Sequence, residues 1–282
     1  MDQLSQIIQD FSIQAGVFYT GQLCGLSTFG EESQVEGHIH ILHQGTLLLS
    51  ENNGAKQVLD EPSIVFFPRP RQHRLTATES DNAEVICATV QYGIGQQSPL
   101  TQALPDVIIL PLRQATALND SFAWMVNEAL SDNLGKQTIL NRLMEVFIVC
   151  LLRHLITEQK IEQGLLAGLS HPFLSKVISA IHSQPAHPWG LDEMAEVALM
   201  SRSKFSPLFK QVLGETPNDY LTRWRVSLAQ KHLLTGKSVD HCAQLVGYES
   251  PSSLSRAFNK TCQLSPKAWL KKTLEEASES SV

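Results

Sequence analysis

An imperfect internal repeat in the last third of the chain constrains the fold more than any other feature. The segment Leu191-Asp-Glu-Met-Ala195 aligns with Val239-Asp-His-Cys-Ala243 at an offset of 48 residues. At an offset of 49, Phe205, Phe209, Thr216, Pro217, Tyr220 and Leu221 align with Leu254, Phe258, Ser265, Pro266, Trp269 and Leu270. A repeat of this length predicts two copies of one supersecondary unit rather than a single continuous helix.

Each copy has the pattern of a short helix, a tight turn and a second helix that begins at a serine. The turns are ALMS in the first copy and VGYES in the second, and another turn precedes Pro217 or Pro266. Serine is favoured at a helix N-cap because its hydroxyl accepts a hydrogen bond from a free backbone N–H group. Residues 171–269 are therefore predicted to be helical, in the order typical of helix-turn-helix units.

The charge distribution decides whether such a region can bind nucleic acid. The whole chain has 22 Lys and Arg against 28 Asp and Glu, a net charge of −6, which taken alone argues against a phosphate-rich partner. Residues 1–170 have a net charge of −9, however, and residues 171–272 have a net charge of +6. The acidity belongs to the N-terminal half and the last ten residues, so the repeat region remains a candidate for nucleic-acid binding.

The repeat region resembles the DNA-binding domain of the AraC/XylS transcription regulators. The resemblance covers about residues 171–270 and rests on AEVALMSRSKFSPLFKQVLGETPNDYL, RWRVSLAQK, AQLVGYESPSSLSRAF and LSPKAW. It implies two helix-turn-helix units joined by a long helix, binding to promoter DNA, and contact with RNA polymerase.

The resemblance also implies which side chains meet DNA, because the second helix of such a unit lies in the major groove. Arg256 is the candidate for a bidentate contact with guanine, and Lys210 and Lys260 are candidates for phosphate contacts. Helix capping is the alternative role for the serines, whereas Phe205, Phe209, Leu254 and Phe258 are predicted core residues. The predicted DNA-contacting residues are Arg202, Ser203, Ser206, Lys210, Pro251, Ser252, Ser253, Arg256 and Lys260.

Two residues depart from the family pattern. Pro207 lies within the first reading helix, where loss of a backbone N–H costs ~3 kcal/mol, so this helix is expected to kink or to start late. Gln263 stands in the turn before Ser265, where glycine is usual, whereas Gly214 keeps the glycine in the first copy. The second turn is therefore expected to adopt another geometry.

From about Gly16 to Val107 the chain consists of short β-rich runs, with a hairpin signal at ENNGAKQ. This region resembles the cupin-type sensor domain of the same family, at GHIH, GTLL and IVFFP. The resemblance implies a β-barrel, and it implies that the side chains of His38, His40 and His73 all point into the barrel interior. There they would line a small-ligand pocket or bind Zn, Fe, Ni or Cu. The carboxylate of cupin enzymes is missing after His40, where His43 and Gln44 stand.

Cys24 and Cys87, with the segment PRPRQHRL, are similar to features of the reactive-chlorine-responsive members of the family. That similarity implies an oxidant sensor that acts through a disulfide or a sulfenic acid. The alternative for Cys87 is a buried structural cysteine, since it lies mid-strand in EVICATV. Cys150, Cys242 and Cys262 occupy apolar helical positions and are predicted core residues.

The apolar spacing after Pro111 predicts two amphipathic helices, which either pack on the β domain or form a dimer. We expect an α+β chain: a cupin-like sensor domain at 1–112, a helical pair at 113–160, a linker at 161–170, a double helix-turn-helix domain at 171–272 and an acidic tail at 273–282. With no basic leader and no apolar run of membrane-spanning length, a cytoplasmic protein is expected.

These observations predict a homodimeric transcription regulator that is not an enzyme and whose N-terminal domain senses an oxidant, a small ligand or a metal. The alternative is a cupin metalloenzyme in which His38, His40 and His73 hold a catalytic metal.

Overall fold

The computed structural model of the protein describes residues 3–29, 36–52, 54–93, 98–158 and 163–279. These residues form two compact units. The sheet unit contains the described residues within 12–96 and 104–158, and the helical unit contains those within 1–11, 97–103 and 159–282. The predicted α+β class, with strands in the N-terminal half and helices in the C-terminal half, is confirmed.

The sheet unit contains two antiparallel sheets. The strands are β1 Ile13–Gln22, β2 Gly25–Phe29, β3 Gly37–Gln44, β4 Leu47–Glu51, β5 Lys56–Leu59, β6 Ser63–Phe67, β7 His73–Ala77, β8 Glu84–Tyr92 and β9 Ile108–Pro111. One sheet has the order β1-β8-β3-β6-β9 and the other has the order β2-β7-β4-β5. The hairpin predicted at ENNGAKQ joins β4 to β5, in which Leu47 faces Leu59.

The core of the sheet unit lies between the two sheets. Leu42, Val65 and Val85 of the first sheet pack in one buried cluster with Leu49 and Leu75 of the second. Strands β3 and β6 are buried along most of their length, as expected for central strands with both faces covered. Over the ranges that the structure covers, no strand pairing joins one sheet to the other, so the barrel expected from the cupin resemblance is two facing sheets rather than a closed cylinder.

The helices follow in chain order. They are α1 Gln3–Phe11, α2 Pro99–Gln102, α3 Asn119–Ala129, α4 Lys136–Thr157, α5 Leu165–Ser170, α6 Leu174–Ser183, α7 Leu191–Val197, α8 Arg202–Leu213, α9 Pro217–Leu234, α10 Val239–Leu245, α11 Pro251–Cys262 and α12 Pro266–Glu279. In the part of the chain that the structure describes, no helix is both long enough and apolar enough to span a membrane.

The predicted helical pair is α3 and α4, which pack on each other, and α4 also packs on β1. Leu143, Phe147 and Leu151 of α4 are buried, so its apolar face belongs to the core of the sheet unit. The side-chain oxygen of Asn141 accepts a 2.9 Å hydrogen bond from the backbone N–H of Val17, which holds α4 against β1. Intrachain packing therefore accounts for this face, and dimer formation stays a prediction.

The expected linker at 161–170 is wrong for its second half, because Leu165–Ser170 is the helix α5. Leu165 and Leu166 are buried, and a Cβ on Gly168 would lie 2.5 Å from Cδ1 of Ile178. This glycine therefore permits close helix packing instead of conferring flexibility.

Two further boundaries differ from those expected. The described residues within 1–11 and 97–103, which the sequence predicts to belong to the sensor domain, cluster with the helical unit, where Ile7 of α1 is fully buried. The tail expected from residue 273 is helical as far as Glu279, because α12 continues without a break from Pro266.

Both copies of the repeat fold as predicted, α7-turn-α8 and α10-turn-α11, with α9 between them. Phe205, Phe209, Leu254 and Phe258 are fully buried, which confirms them as core residues. Helix α9 begins with a capping hydroxyl, since Oγ1 of Thr216 accepts a 3.2 Å hydrogen bond from the N–H of Asp219.

The expectation of a different turn geometry at Gln263 is wrong. Gln263 adopts the left-handed conformation, with φ 56° and ψ 19°, and Gly214 of the first copy has φ 81° and ψ −6°. In both turns the N–H of this residue bonds to the carbonyl four residues earlier, on Asn259 or Lys210. The hydrogen bonding that ends each helix is thus the same. The left-handed conformation is sterically unfavourable for Gln263, because its side chain has a Cβ, and is not unfavourable for Gly214.

Candidate DNA-binding surface and sensor site

Helix α11 presents the part of the candidate DNA-binding surface that begins with a side-chain cap. Oγ of Ser250 caps the helix by accepting a 3.2 Å hydrogen bond from the N–H of Ser253, and Pro251 occupies the first helical position. Since Leu254 is buried, the opposite face carries the exposed side chains of Ser252 and Arg256. These polar groups lie on the first two turns of the helix, where a helix-turn-helix reading helix meets base edges.

Arg256 is held in place by a neighbour on its own helix. Its Nη2 donates a 3.3 Å hydrogen bond to Oγ of Ser253, three residues earlier. This contact restricts the guanidinium to the solvent-facing side of α11 without occupying its remaining donors. The structure thus leaves Arg256 able to make the predicted bidentate contact with a base.

Lys260, predicted to contact phosphate, is already engaged. Its Nζ lies 2.7 Å from Oδ1 of Asp219 at the start of α9. The bond from Lys260, together with that from Thr216 and the nearby charge of Lys210, holds the pKa of Asp219 below its usual range. A phosphate at Lys260 must compete with this carboxylate, and motif reading missed Asp219 because it lies outside both reading helices.

Helix α8, the first reading helix, differs from α11 at its N-terminus. It begins at Arg202, so a late start is wrong, whereas a kink at Pro207, which lies inside the helix, stays a prediction. Without an N–H on Pro207, the carbonyl of Ser203 has no helical partner. Ser201 occupies the N-cap, but its hydroxyl lies 3.1 Å from that of Ser203 and makes no capping bond to the backbone.

The other predicted contacts on α8 are accessible. Arg202, Ser203 and Lys210 are exposed and Ser206 is half-buried. A guanidinium nitrogen of Arg202 lies 3.5 Å from Oδ2 of Asp192 on α7, and both side chains are largely exposed, so the pair is weak. The first copy therefore has basic side chains available for DNA on α8, but α8 is less well capped than α11 of the second copy.

The sheet unit brings His38, His40 and His73 together, as the sequence predicted. All three are buried, and Nε2 of His40 lies 2.7 Å from Nε2 of His73. The rings of His38 and His40 stack with centroids 6.1 Å apart, because alternate residues of β3 face the same side. His43, by contrast, points elsewhere and its Nδ1 lies 3.3 Å from Glu84.

Aromatic side chains that motif reading missed enclose this histidine cluster. Phe67 stacks on His73 with ring centroids 4.0 Å apart, and Phe29 lies 4.6 Å from the ring of His40. Phe18 meets His38 edge-on at 6.4 Å and is half-exposed at 49%. The cluster is thus a polar centre in an apolar shell, with one aromatic ring at its outer side.

Hydrogen bonding fixes the tautomers in this cluster. Nδ1 of His73 lies 2.7 Å from the carbonyl oxygen of Arg71, so Nδ1 carries the proton and Nε2 accepts. His40 must then donate from Nε2, which leaves its buried Nδ1 as an acceptor without a hydrogen-bond partner. Burial lowers the pKa of all three histidines, that of His73 to about 4, so the cluster is neutral at pH 7.

In this arrangement His40 and His73 bond to each other through ring nitrogens that a metal ion would need. Within the described ranges, no group of three His, Cys, Asp or Glu side chains is placed to hold a metal ion. The Nε2 atoms that would bind the ion are instead donor and acceptor of one hydrogen bond between His40 and His73. A metal ion at this cluster would have to displace the hydrogen bond between His40 and His73, so metal binding stays a prediction.

The predicted redox pair, Cys24 and Cys87, is not brought together. Cys87 pairs with Tyr19 across β8 and β1, whereas Cys24 follows the far end of β1, where Leu23 bonds to Ala83. Five extended residues between Tyr19 and Cys24 span about 16 Å, whereas a disulfide needs Cα atoms about 4 to 7 Å apart. A direct disulfide between them is therefore out of reach.

The two thiols also differ in reactivity. Cys87 is buried in the core, and burial raises the pKa of its thiol to about 12. Cys24 is exposed. Cys87 thus has the buried position that the structural alternative predicts, and only Cys24 of this pair is accessible to an oxidant.

Comparison with known proteins gives a cupin-like N-terminal half and a helix-turn-helix C-terminal half. Residues 2–157 match the protein-family profile described as Cupin, and residues 194–272 match the profile described as Helix-turn-helix domain. The HTH-type transcriptional regulator AlkR of Acinetobacter baylyi is 26% identical over 95% of this chain and 98% of its own length. The RCS-specific HTH-type transcriptional activator RclR of Escherichia coli is 29% identical over 78% of both chains. An AraC-like transcription regulator of Streptomyces lividans is 30% identical over 72% of this chain and 68% of its own.

Proposed function

Because this chain belongs to the AraC-like transcriptional regulators with an N-terminal cupin domain, we propose that it binds promoter DNA through α8 and α11 and controls transcription by contacting RNA polymerase. The observation that carries the proposal is the pair of repeat helices, each exposing hydroxyl and basic side chains opposite a buried aromatic or aliphatic face. The net charge of +6 on residues 171–272 supports it.

The two copies have unequal roles in this proposal. Helix α11 is capped by Ser250 and positions Arg256, so it supplies base recognition. Helix α8 lacks that cap and contains Pro207, so it supplies mainly phosphate contacts through residues such as Lys210. A regulator of this kind acts on the chromosome, and we therefore place it in the cytoplasm as a regulator without enzymatic activity.

Binding of the full-length protein to labelled duplexes tests this proposal. One duplex carries the upstream region of its own gene, and the control duplex carries the same bases in scrambled order. We expect a preference for the native duplex of about 10³-fold, with the affinity falling steeply as salt rises from 50 to 200 mM, because phosphate contacts release counterions. Equal affinity for the two duplexes at every salt concentration would refute sequence-specific DNA binding.

We propose that the signal acts on the sheet unit in one of two ways. An oxidant reacts with the exposed thiol of Cys24, where sulfur loses two electrons to a hypohalous acid and ends as sulfenic acid while halide is released. The name of the relative RclR, which is RCS-specific, supports this route. A small ligand that donates a hydrogen bond instead enters the aromatic shell and meets the free Nδ1 of His40.

We also propose that the protein is a homodimer. Large apolar side chains remain exposed on and between α3 and α4, including Trp124 at 61%, Leu130 at 72% and Leu134 at 101%. A protein–protein contact would cover these apolar side chains. Sedimentation equilibrium of the wild type and of Trp124→Arg tests the assignment, since the variant should shift to a monomer; a wild type that is monomeric at micromolar concentration would refute it.

A further inference from the structure

The turn of the second copy touches the chain just before the first copy. Gly247 lies in the turn between α10 and α11 and has φ +82°. A Cβ added to Gly247 would lie between 2.6 and 2.9 Å from three backbone atoms of Ala186, which lies between α6 and α7. Side-chain carbons do not approach backbone so closely, so this contact requires glycine.

Arg225 of α9 holds the same contact from the side. Its Nε donates a 2.7 Å hydrogen bond to the carbonyl of Pro185, and its Nη2 donates another of 2.7 Å to the carbonyl of His187. Its Cζ lies 5.5 Å from the centre of the ring of Tyr248, beside Gly247. A planar guanidinium can donate in two directions while its face rests on an aromatic ring, and a lysine ammonium cannot reproduce that arrangement.

We call this contact the junction and define it as Arg225, Gly247, Tyr248 and residues 185–187. It joins three elements: the segment that enters the first copy, the connecting helix α9 and the turn of the second copy. Without the junction, the two copies would be connected mainly through α9, by the chain itself and by packing against that helix. The second copy could then pivot about α9.

The internal repeat supplies its own comparison. Leu199 occupies the place of Gly247 in the first copy, with φ 56°, and its side chain is 72% exposed. A helix-turn-helix turn of this sequence therefore tolerates a large residue at this position when no backbone lies against it. Glycine at 247 is required by the approach of Ala186, in addition to the positive φ.

We infer that the junction fixes the distance and angle between α8 and α11, and that Arg225 is the positioning residue that sets the spacing of the two DNA segments read together. The inference rests on the proposed function, since it concerns how the two helices share one DNA site. Successive major-groove segments on one face of DNA are about 34 Å apart. Two linked contacts add to each other only when their geometry allows both at once.

The test uses the full-length protein and a set of duplexes derived from the footprinted native site. In this set, one or two base pairs are inserted or deleted between the two protected grooves, and one further duplex has the first groove scrambled. Wild type should show a sharp optimum at the native spacing. Arg225→Lys should bind the native duplex about tenfold more weakly, bind the scrambled duplex within about twofold of wild type, and show a flattened spacing profile.

Arg223→Lys is the matched control on the same helix. Arg223 also lies over a tyrosine ring, 5.3 Å from the centre of Tyr220, but it pairs with Glu215 instead of the junction. It should lose stability without losing the wild-type spacing optimum. Tyr248→Leu provides a second junction variant and should flatten the profile as Arg225→Lys does, with thermal unfolding confirming that each variant is folded.

Two different failures can be told apart. If folded Arg225→Lys and Tyr248→Leu keep the sharp optimum of the wild type, whatever their overall affinity, the junction does not set the spacing. If the wild type itself shows neither sequence preference nor a spacing optimum, the proposed function is wrong, and the inference that rests on it is wrong as well.

Discussion

Nε2 of His40 donates a hydrogen bond of 2.7 Å to Nε2 of His73, which in turn is oriented by the carbonyl of Arg71. This chain links a fully buried imidazole to the backbone of the PRPRQHRL segment. On the same segment, the guanidinium of Arg71 pairs with Glu51 at 2.8 Å and with Asp106 at 2.9 Å. A ligand or a proton that breaks the histidine pair would therefore act on a segment with ion pairs to other parts of the sheet unit.

Acid should destabilise the protein through His73. Burial lowers the pKa of its imidazole from about 6.5 to about 4, so between these values the unfolded chain binds a proton that the folded protein does not. The stabilisation is complete above pH 6.5 and is lost as the pH falls towards 4. One pKa unit corresponds to ~1.4 kcal/mol, so His73 should account for a loss of about 2 kcal/mol between pH 7 and pH 5 in urea unfolding.

His73→Gln should be less stable at pH 7 but should show a shallower loss between pH 7 and pH 5. His182 provides the matched control, because burial also lowers the pKa of its imidazole, to about 3, in the helical unit. The part of the pH dependence of unfolding that comes from His182 should persist in His73→Gln. If the free energy of unfolding of the sheet unit depends on pH in this variant as it does in the wild type, His73 does not titrate as described.

Gln263→Gly should stabilise the protein. Gln263 is left-handed, with φ 56°, and a Cβ in this conformation costs about 1 kcal/mol that glycine does not incur. Urea unfolding should therefore give a free energy of unfolding higher by about 1 kcal/mol. The reverse change in the first copy, Gly214→Gln, should lower it by a similar amount, and a neutral or destabilising Gln263→Gly would contradict this account.

The turns show how far the sequence determines the fold. The repeat, the capping serines and the apolar spacing predict the helices of both copies, because these signals are local. The sequence pattern also shows that Gln263 stands where glycine is usual. This substitution makes the left-handed turn less favourable in free energy but leaves its hydrogen bonding the same. Residue propensities alone do not predict that the end of helix α11 imposes the left-handed conformation on Gln263.

The contacts between distant segments could not be predicted. Asp219 pairs with Lys260 across 41 positions, and Arg225 reaches Pro185 across 40, so no window of sequence contains both partners. The alternation of His38 and His40 predicts a shared face, but the rings that enclose them come from three separate strands. The separation of Cys24 from Cys87 likewise depends on the register of β1 against β8.

Lys210→Ala should weaken DNA binding more than Lys260→Ala. The ammonium of Lys260 lies 2.7 Å from Asp219, so removing it deletes a charge that the carboxylate already partly neutralises. Lys210→Ala should reduce the slope of log affinity against log salt by about 1, as for a direct phosphate contact. Asp219→Asn should increase the contribution of Lys260, and equal salt slopes for all of these variants would contradict competition by Asp219.

Oxidant sensing should depend on Cys24 and not on Cys87. Cys24→Ala should abolish induction of a promoter reporter by hypochlorite, because its thiol is exposed. Cys87→Ala should leave induction intact, apart from the loss of stability expected for a small cavity, since the raised pKa keeps this thiol protonated. Induction by hypochlorite that survives in Cys24→Ala would exclude this thiol as the oxidant sensor.

Arg256→Ala should weaken binding at one base position. Its guanidinium is exposed on α11 and held by Ser253, the arrangement needed for two hydrogen bonds to the major-groove edge of guanine. A competition series with every single-base change in the native site should show a loss of about 1 to 3 kcal/mol for the variant, with discrimination relaxed at that position alone. Lys267→Ala, an exposed cation on α12, is the control and should leave the base preferences unchanged. Equal weakening of Arg256→Ala on all sequences would instead identify Arg256 as a phosphate contact.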